Sequence, residues 1–380
     1  MTCAYMNSCG GCPFRGLGEP EYKKKKVETF YKIMGGLQQK EIALGEPIFI
    51  GDGFRRRAEF SFEFKRGKLI FGFNARQTHE IVDIQSCSLL VDKLNKILPI
   101  IHDFLIEICK ITITKKEKGK KSIVQNITKG QIFLTSCANG IDVNLETAEN
   151  LVLGHRLLIA ELLNENPQII SFSHRNLKGE NEIIAQKTMP FIDISGFRIN
   201  VPSATFLQAS EQSEQILIDL VKKYAGELKG NIADLFCGIG TFSYPLAAEI
   251  KNKITAVDSS EELLNEFQNN INRLMIPNIK ILKRNLFKYP LQNEEVKGFS
   301  LIVFDPPRAG AAEQVKKIIE LKTEEKPQKI VAVSCNPHTF VNDANVLLSG
   351  GYYIKEITMV DQFNYSNHTE LVALFEKKVR

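Results

Sequence analysis

The stretch Asn231-Ile232-Ala233-Asp234-Leu235-Phe236-Cys237-Gly238-Ile239-Gly240-Thr241-Phe242-Ser243 decides the fold. Its first six residues are mostly apolar and suit a buried strand. Two glycines then permit a sharp turn, and Tyr244 to Lys251 continues as a helix. Further on, Lys253 to Val257 reads as a strand, Glu261 to Leu274 as a helix, and Leu301 to Phe304 and Lys329 to Val333 as buried strands. Strand, glycine turn, helix and strand in alternation predict a doubly wound parallel sheet, so residues 196–380 are assigned to a Rossmann-like α/β domain.

Toward the N-terminus the texture changes. Residues 46–195 carry short alternating runs such as Ala58 to Phe64 and Leu69 to Phe73, with a helix at Val91 to Ile108, and predict a mostly β (α+β) central domain. Residues 1–45 open on a loop rich in Cys and Gly. A Lys-heavy helix follows, on which Val27, Phe30, Tyr31 and Met34 recur at helical spacing. The chain of 380 residues has room for two or three domains. Its net charge of +5 permits an anionic partner without demanding one. With no secretory leader and no apolar run long enough to span a bilayer, the expected location is the cytoplasm, with no membrane partner and no obligate protein partner.

The glycine turn is a cofactor-loop candidate, with Phe236 and Gly238 at its centre. A dinucleotide fingerprint would place a third glycine where Thr241-Phe242-Ser243 stands. That departure weakens NAD and leaves S-adenosylmethionine, which has no pyrophosphate to cradle. Asp258 ends the next strand, where a carboxylate can accept hydrogen bonds from both ribose hydroxyls of a nucleoside cofactor, or help start the following helix through Asp258-Ser259-Ser260.

Two further strand ends carry chemistry. Phe304-Asp305-Pro306-Pro307-Arg308 is a rigid, charged strand end. Val333-Ser334-Cys335-Asn336-Pro337 places a thiol at the next one, followed by a polar turn. A Cys in an apolar run is usually a small buried hydrophobe, but this position suits a nucleophile. Carbon 5 of uracil is too weak a nucleophile to take a methyl group unaided, and addition of sulfur at carbon 6 makes it enolate-like. A base must later remove the carbon-5 proton. Glu370, in Asn367-His368-Thr369-Glu370-Leu371, is the candidate, with Asp361, Phe363 and His368 in the loop before it.

Together these motifs resemble the uracil-5 RNA methyltransferase family. The resemblance rests on an ordered set: Thr205-Phe206-Leu207-Gln208, Asp234 to Gly240, Asp305 to Arg308, Ser334 to Pro337, and Asp361-Gln362-Phe363 through Glu370. It implies that Cys335 is the nucleophile and Glu370 the proton acceptor. It further implies that Gln208, Phe236, Gly238, Asp258, Asn285 and Asp305 line the S-adenosylmethionine and uracil pocket. Phe54-Arg55-Arg56-Arg57-Ala58-Glu59-Phe60 resembles the family's segment whose basic residues face RNA, and a second basic cluster spans Lys115 to Lys121.

Four of the eight cysteines, Cys3, Cys9, Cys12 and Cys87, form a set of soft ligands that suits either zinc or an iron-sulfur cluster. The resemblance favours a [4Fe-4S] cluster, as in the family's ribosomal-RNA branch. Cys109, Cys137 and Cys237 are read as packing residues. With the cluster and no β-barrel domain ahead of it, the layout resembles the shorter enzymes that act on 23S ribosomal RNA. Transfer RNA is the alternative, favoured by the segments Arg55 to Phe60 and Asp361 to Phe363.

Overall fold

A computed structural model describes residues 3–115, 123–227, 230–248 and 252–378. The chain divides into two compact units. The first is Met1–Gly16, Gly51–Ile192 and Asn200–Ser210; the second is Leu17–Ile50, Asp193–Ile199 and Glu211–Arg380. The Cys-rich loop and the Lys-heavy helix, grouped by sequence into one N-terminal segment, thus fall in different units. The physical reason is the helix's own apolar face. In Glu19–Met34, Phe30 and Met34 are buried in the core of the second unit, with Val27 and Ile33 packed against it. Tyr31, expected on that stripe, is 40% exposed, and Lys26 and Tyr22 take the buried positions one and two turns before Phe30.

The first unit is built on a seven-stranded sheet. In spatial order its strands are Asn181–Gln186, Ile169–Arg175, Gly140–Glu146, Lys129–Cys137, Arg57–Lys65, Lys68–Asn74 and Ile81–Asp83. All neighbours are antiparallel except Gly140–Glu146 and Ile169–Arg175, which run parallel and are joined through the helix Leu153–Glu165. That helix and the helix Asp92–Lys110 bury Ile97, Leu98, Ile101, Leu105, Ile159 and Leu163 with the sheet's Phe60, Ile132, Val143 and Phe172. This is the α+β architecture the alternating runs predict.

The second unit contains the doubly wound sheet. Its principal strands are β1 (Asn231–Leu235), β2 (Lys253–Asp258), β3 (Ile279–Lys283), β4 (Phe299–Phe304), β5 (Lys329–Ser334), β6 (Tyr352–Asp361) and β7 (Glu370–Lys377). Across the sheet they lie in the order β3-β2-β1-β4-β5-β7-β6, with Ala43–Leu44 and Ile48–Phe49 added along β6. Strands β1 to β5 are parallel, and β7 runs antiparallel to both its neighbours. Because β1, β4 and β5 are covered on both faces they read as apolar runs, and Ala233, Leu235, Ile302, Val303, Ile330 and Val331 are fully buried. The helix predicted over Tyr244 to Lys251 is found as Ser243–Ala247; residues 249–251 lie outside the described residues. No helix among the described residues is long and apolar enough to cross a membrane.

Candidate active site

The register of the sheet assembles the site. Leu235 pairs with Val257 on β2 and with Phe304 on β4, so the residues that follow, Phe236, Asp258 and Asp305, leave the sheet along one edge. The strand order reverses between β1 and β4, and the crevice at such a point is where open α/β sheets bind ligands. The chain turns there at Phe236 (φ +60°), Gly238 (φ +55°) and Gly240 (φ +91°). A Cβ on Gly240 would stand 2.3 Å from the Phe267 ring, so this glycine lets helix and loop pack closely. Beside Gly238 there is open space, which leaves its backbone approachable by a ligand.

Asp258 ties this loop to the next helix. Its Oδ2 accepts from the Gly238 amide at 3.0 Å and its Oδ1 from the Ser260 amide at 2.9 Å. The helix Glu261–Leu274 is capped by Ser260, whose hydroxyl accepts from Leu263 N, so Asp258 supports the turn without being the cap. A carboxylate has about four lone-pair sites, which leaves acceptor capacity for a diol. Asn285 closes the third strand's turn, its Oδ1 accepting from the amides of Phe287 and Lys288 at 3.1 and 3.2 Å. Phe287 packs against Phe236 with ring centroids 5.4 Å apart. Beneath the loop Asp234 is fully buried and accepts from Ser243 Oγ at 2.6 Å. Burial, and then the charges of Asp305 and Asp258, push its carboxyl up to about 7.

The reaction edge comes from β4, β5 and β7. Ser334 pairs with Leu371 on the antiparallel β7, which brings Cys335, one residue past β5, beside Glu370 at the start of β7. The thiol is half-buried. Burial and the charges of Glu370 and Asp305 raise it to about 11, while Arg308 and a backbone hydrogen bond act in the opposite direction. Glu370 is buried; its Oε2 accepts from Gln362 Nε2 at 2.7 Å. Burial and the nearby Asp305 push its carboxyl up to about 8 against that bond. The Cys335 turn is tied to the Asp305-Pro306-Pro307-Arg308 loop, since Asn336 Nδ2 and Thr339 Oγ1 both donate to the Arg308 carbonyl, at 3.0 and 3.2 Å. Asn336 caps the helix Pro337–Ser349, so the thiol sits at that helix's positive end. Arg308 also reaches His368 Nδ1 at 3.3 Å.

The segment between β6 and β7 is held from the side by two residues the sequence reading missed. Lys26 forms an ion pair with Asp361 at 3.0 Å and donates to the carbonyls of Ser366 (2.7 Å) and His368. The Tyr22 hydroxyl donates to Asp361 Oδ2, accepts from the Tyr365 amide at 2.9 Å, and its ring stacks on Tyr365. The signal was present as a spacing of four, since Tyr22, Lys26, Phe30 and Met34 share one helix face. A lysine on that face is what an apolar count discards.

Gln208 belongs to the first unit, where it is buried and its carbonyl accepts from Arg56 Nε at 3.1 Å. The basic segment there is not a row of exposed cations. Arg56 is 1% exposed, and Arg57 donates to the Leu207 carbonyl at 3.2 Å and lies over the exposed Phe206 ring at 4.4 Å. Arg55 donates to the Arg57 carbonyl at 3.0 Å. Arg56 and Arg57 hold the Phe206-Leu207-Gln208 part of that loop, which is why they do not form an exposed basic row. Residues 116–121 of the second basic cluster lie outside the described residues.

The thiols of Cys3, Cys9, Cys12 and Cys87 lie within electrostatic reach of one another. Burial and the neighbouring sulfurs raise Cys12 to about 12, and burial raises Cys9 and Cys87. Arg15, Arg55 and Arg76 act in the opposite direction on Cys12, Cys87 and Cys9 respectively. Four soft donors with offsetting guanidiniums fit a thiolate-bound metal in chemistry. Among the described residues, however, no three such side chains are grouped as a metal ion requires. Cys109, Cys137 and Cys237 are buried, as expected of packing residues.

Residues 21–378 match the model of the tRNA (uracil-5-)-methyltransferase family. An uncharacterised RNA methyltransferase of Brucella melitensis is 30% identical over 99% of this chain and 84% of its own length. The 23S rRNA (uracil(1939)-C(5))-methyltransferase of Histophilus somni is 29% identical over 99% of this chain and 81% of its own. Among solved structures, the Pyrococcus abyssi tRNA (uracil-54, C5)-methyltransferase in complex with S-adenosyl-L-homocysteine superposes with a TM-score of 0.71 at 23% identity, over 97% of this chain and 86% of that one.

Proposed function

The chain belongs to the tRNA (uracil-5-)-methyltransferase family, and from that premise we propose that it methylates carbon 5 of a uridine in RNA, with Cys335 as nucleophile and Glu370 as proton acceptor. The observation that carries this reading is the pairing of Ser334 with Leu371, which sets a thiol and a buried carboxyl side by side at the ligand-binding edge of the sheet.

In this reading the Cys335 thiol gives its proton to water, and sulfur adds to carbon 6 while the C5–C6 electrons move onto carbon 5 and the O4 enolate. S-adenosylmethionine, when bound, supplies the electrophilic methyl group. The Glu370 carboxylate then takes the carbon-5 proton, the C5–C6 double bond re-forms, and the thiolate is expelled. A carboxyl held near 8 is a stronger base than an ordinary glutamate, which suits removal of a carbon acid. Arg308 and the helix behind Cys335 favour the thiolate against the two carboxylates. Asp258 would bind the cofactor's ribose and Gly238 give its backbone room, with Phe236, Asn285 and Asp305 around them.

The favoured substrate is 23S ribosomal RNA, in line with the relative from Histophilus somni; transfer RNA is the second reading, in line with the Pyrococcus abyssi enzyme. A [4Fe-4S] cluster on Cys3, Cys9, Cys12 and Cys87 belongs to the same reading, supported by four mutually interacting thiols among three guanidiniums.

The test uses 5-fluorouridine-substituted ribosomal or transfer RNA with S-adenosylmethionine and a denaturing gel. Fluorine cannot leave as a proton, so a shifted band absent from Cys335→Ala is expected, with the RNA that shifts naming the substrate. No band with either RNA, from folded protein that binds the cofactor, would overturn the mechanism.

A further inference from the structure

The helix Glu19–Met34 carries a buried polar group that the chemistry of the reaction does not call for. Lys26 is 4% exposed and its ammonium has three protons to donate. Two go to the Ser366 and His368 carbonyls on the segment that joins β6 to β7, and the ammonium forms an ion pair with Asp361 Oδ1 at 3.0 Å. Tyr22, one turn earlier, reaches the same segment at Asp361 and at the Tyr365 amide. Tyr365 has φ +57°, a conformation an aromatic residue adopts only when its surroundings impose it, and the Tyr22 ring lies against it with centroids 4.5 Å apart.

Each anchored point adjoins a group of the reaction edge. Asp361 precedes Gln362, whose amide donates to Glu370 Oε2. His368, held through its carbonyl, turns its ring to Arg308 two residues before Glu370. Burying an ammonium, a carboxylate and a phenol together costs desolvation that an apolar trio of similar size would avoid, and such groups are retained where they fix one geometry.

We propose that Tyr22 and Lys26 are positioning residues for Glu370. By clamping the Asp361–His368 segment at both ends they set the Gln362 amide, and through it the carboxylate that takes the proton from carbon 5. The inference rests on the proposed carbon-5 mechanism and adds to it the step these residues serve. Formation of the Cys335–C6 bond and methyl transfer do not depend on the clamp; cleavage of the C5–H bond and expulsion of sulfur do.

That division supplies the test. Tyr22→Phe keeps the ring stack and removes only the hydroxyl, so it is the variant least able to unfold the protein. A second, charge-neutral variant, Lys26→Gln with Asp361→Asn, removes the ion pair without stranding a buried charge. With ordinary uridine RNA, both are expected to lower kcat by about tenfold to a hundredfold, the loss that misplacing a catalytic group by about an ångström brings, with KM for RNA unchanged. Both are also expected to accumulate a methylated protein–RNA adduct that survives denaturation, as Glu370→Gln should in greater amount. With 5-fluorouridine RNA they should form adduct at the wild-type rate.

A fall in adduct formation on 5-fluorouridine RNA that tracks a lowered Tm would show a merely structural role and overturn the proposal. So would wild-type turnover by both variants. Failure of the wild-type protein itself to form the fluorouridine adduct would instead bring down the mechanism on which the proposal rests, so the two failures are told apart.

Discussion

Two regions of this molecule gather reactive sulfur in different ways. At the reaction edge, Cys335 and Glu370 stand on the ends of adjacent strands, and the hydrogen bonds of β5 with β7 leave no choice about which residue faces which. In the N-terminal loop, Cys3, Cys9 and Cys12 lie on short turns whose backbone bonds are local, such as Met6 N to the Cys3 carbonyl and Arg15 N to the Cys12 carbonyl. A bridge of Cys9 to Ala75 and the Arg76 donations to Met6 and Cys12 supply the longer-range ties. The first site is complete in the folded chain. Among the described residues the second holds four cysteines without the grouping of three that a metal ion requires.

The comparison is broken most sharply at the reaction edge. Glu370→Gln keeps the size and the partner of the side chain but cannot accept the proton, and kcat should fall by about 10²- to 10⁴-fold while adduct accumulates, as read by single-turnover kinetics and denaturing gels. In the wild-type protein kcat should rise with pH through about 8, because the carboxyl acts in its charged form and burial beside Asp305 holds it protonated below that point. A flat profile between pH 6 and 9 would separate the carboxyl from the rate-limiting step.

An intermediate effect is expected at the loop. Cys12→Ser or Cys87→Ser should abolish iron retention in anaerobically prepared protein, with the loss of the visible absorbance of a four-iron centre. Removal of a ligand that supplies ordering should also lower Tm by a few degrees, about what a loss of 1 kcal/mol does in a chain of this size. S-adenosylmethionine affinity should change by less than about twofold, or 0.4 kcal/mol, because the Gly238 loop is ordered by its own strands. Zinc in place of iron would leave the ligand set standing and correct the cluster.

The last effect is read as a slope and concerns Asp234. Its carboxyl binds a proton more tightly folded than unfolded, so its contribution to stability is present at low pH and is lost as pH rises through about 7. Asp234→Asn should flatten the decline in urea-unfolding free energy between about pH 4 and 7, by roughly 1 kcal/mol for each unit of pKa difference it removes. An unchanged slope would assign the decline to Glu370 and Asp343, which burial raises in the same sense.

Where the sequence was legible, local and tertiary signals agreed. The helix Glu261–Leu274 was read to both ends, and in the structure Ser260 caps it and Met275 closes it at φ +53°. The parallel strands were read because a strand covered on both faces shows as a bare apolar run. One rule, that chemistry gathers at strand ends, singled out Asp258, Asp305 and Cys335, and the structure places each at the end of a strand of the same sheet. The failures were of the opposite kind. Arg56 and Lys26 are charged residues whose partners lie far away in the chain, at Gln208 and Asp361, and nothing beside them in sequence announces burial. The N-terminal helix was assigned by adjacency to the cysteines, whereas its Phe30 and Met34 had a different core to fill.

The last strand of the sheet in chain order is not at its edge. β7 enters between β5 and β6, both made before it, and until it does each of them shows an unpaired flank. The residue that opens β7 is Glu370. Sealing the sheet and, in the proposed mechanism, delivering the base to the nucleophile are therefore one event in the life of the molecule, and a register slip of one residue would turn the carboxyl to the opposite face.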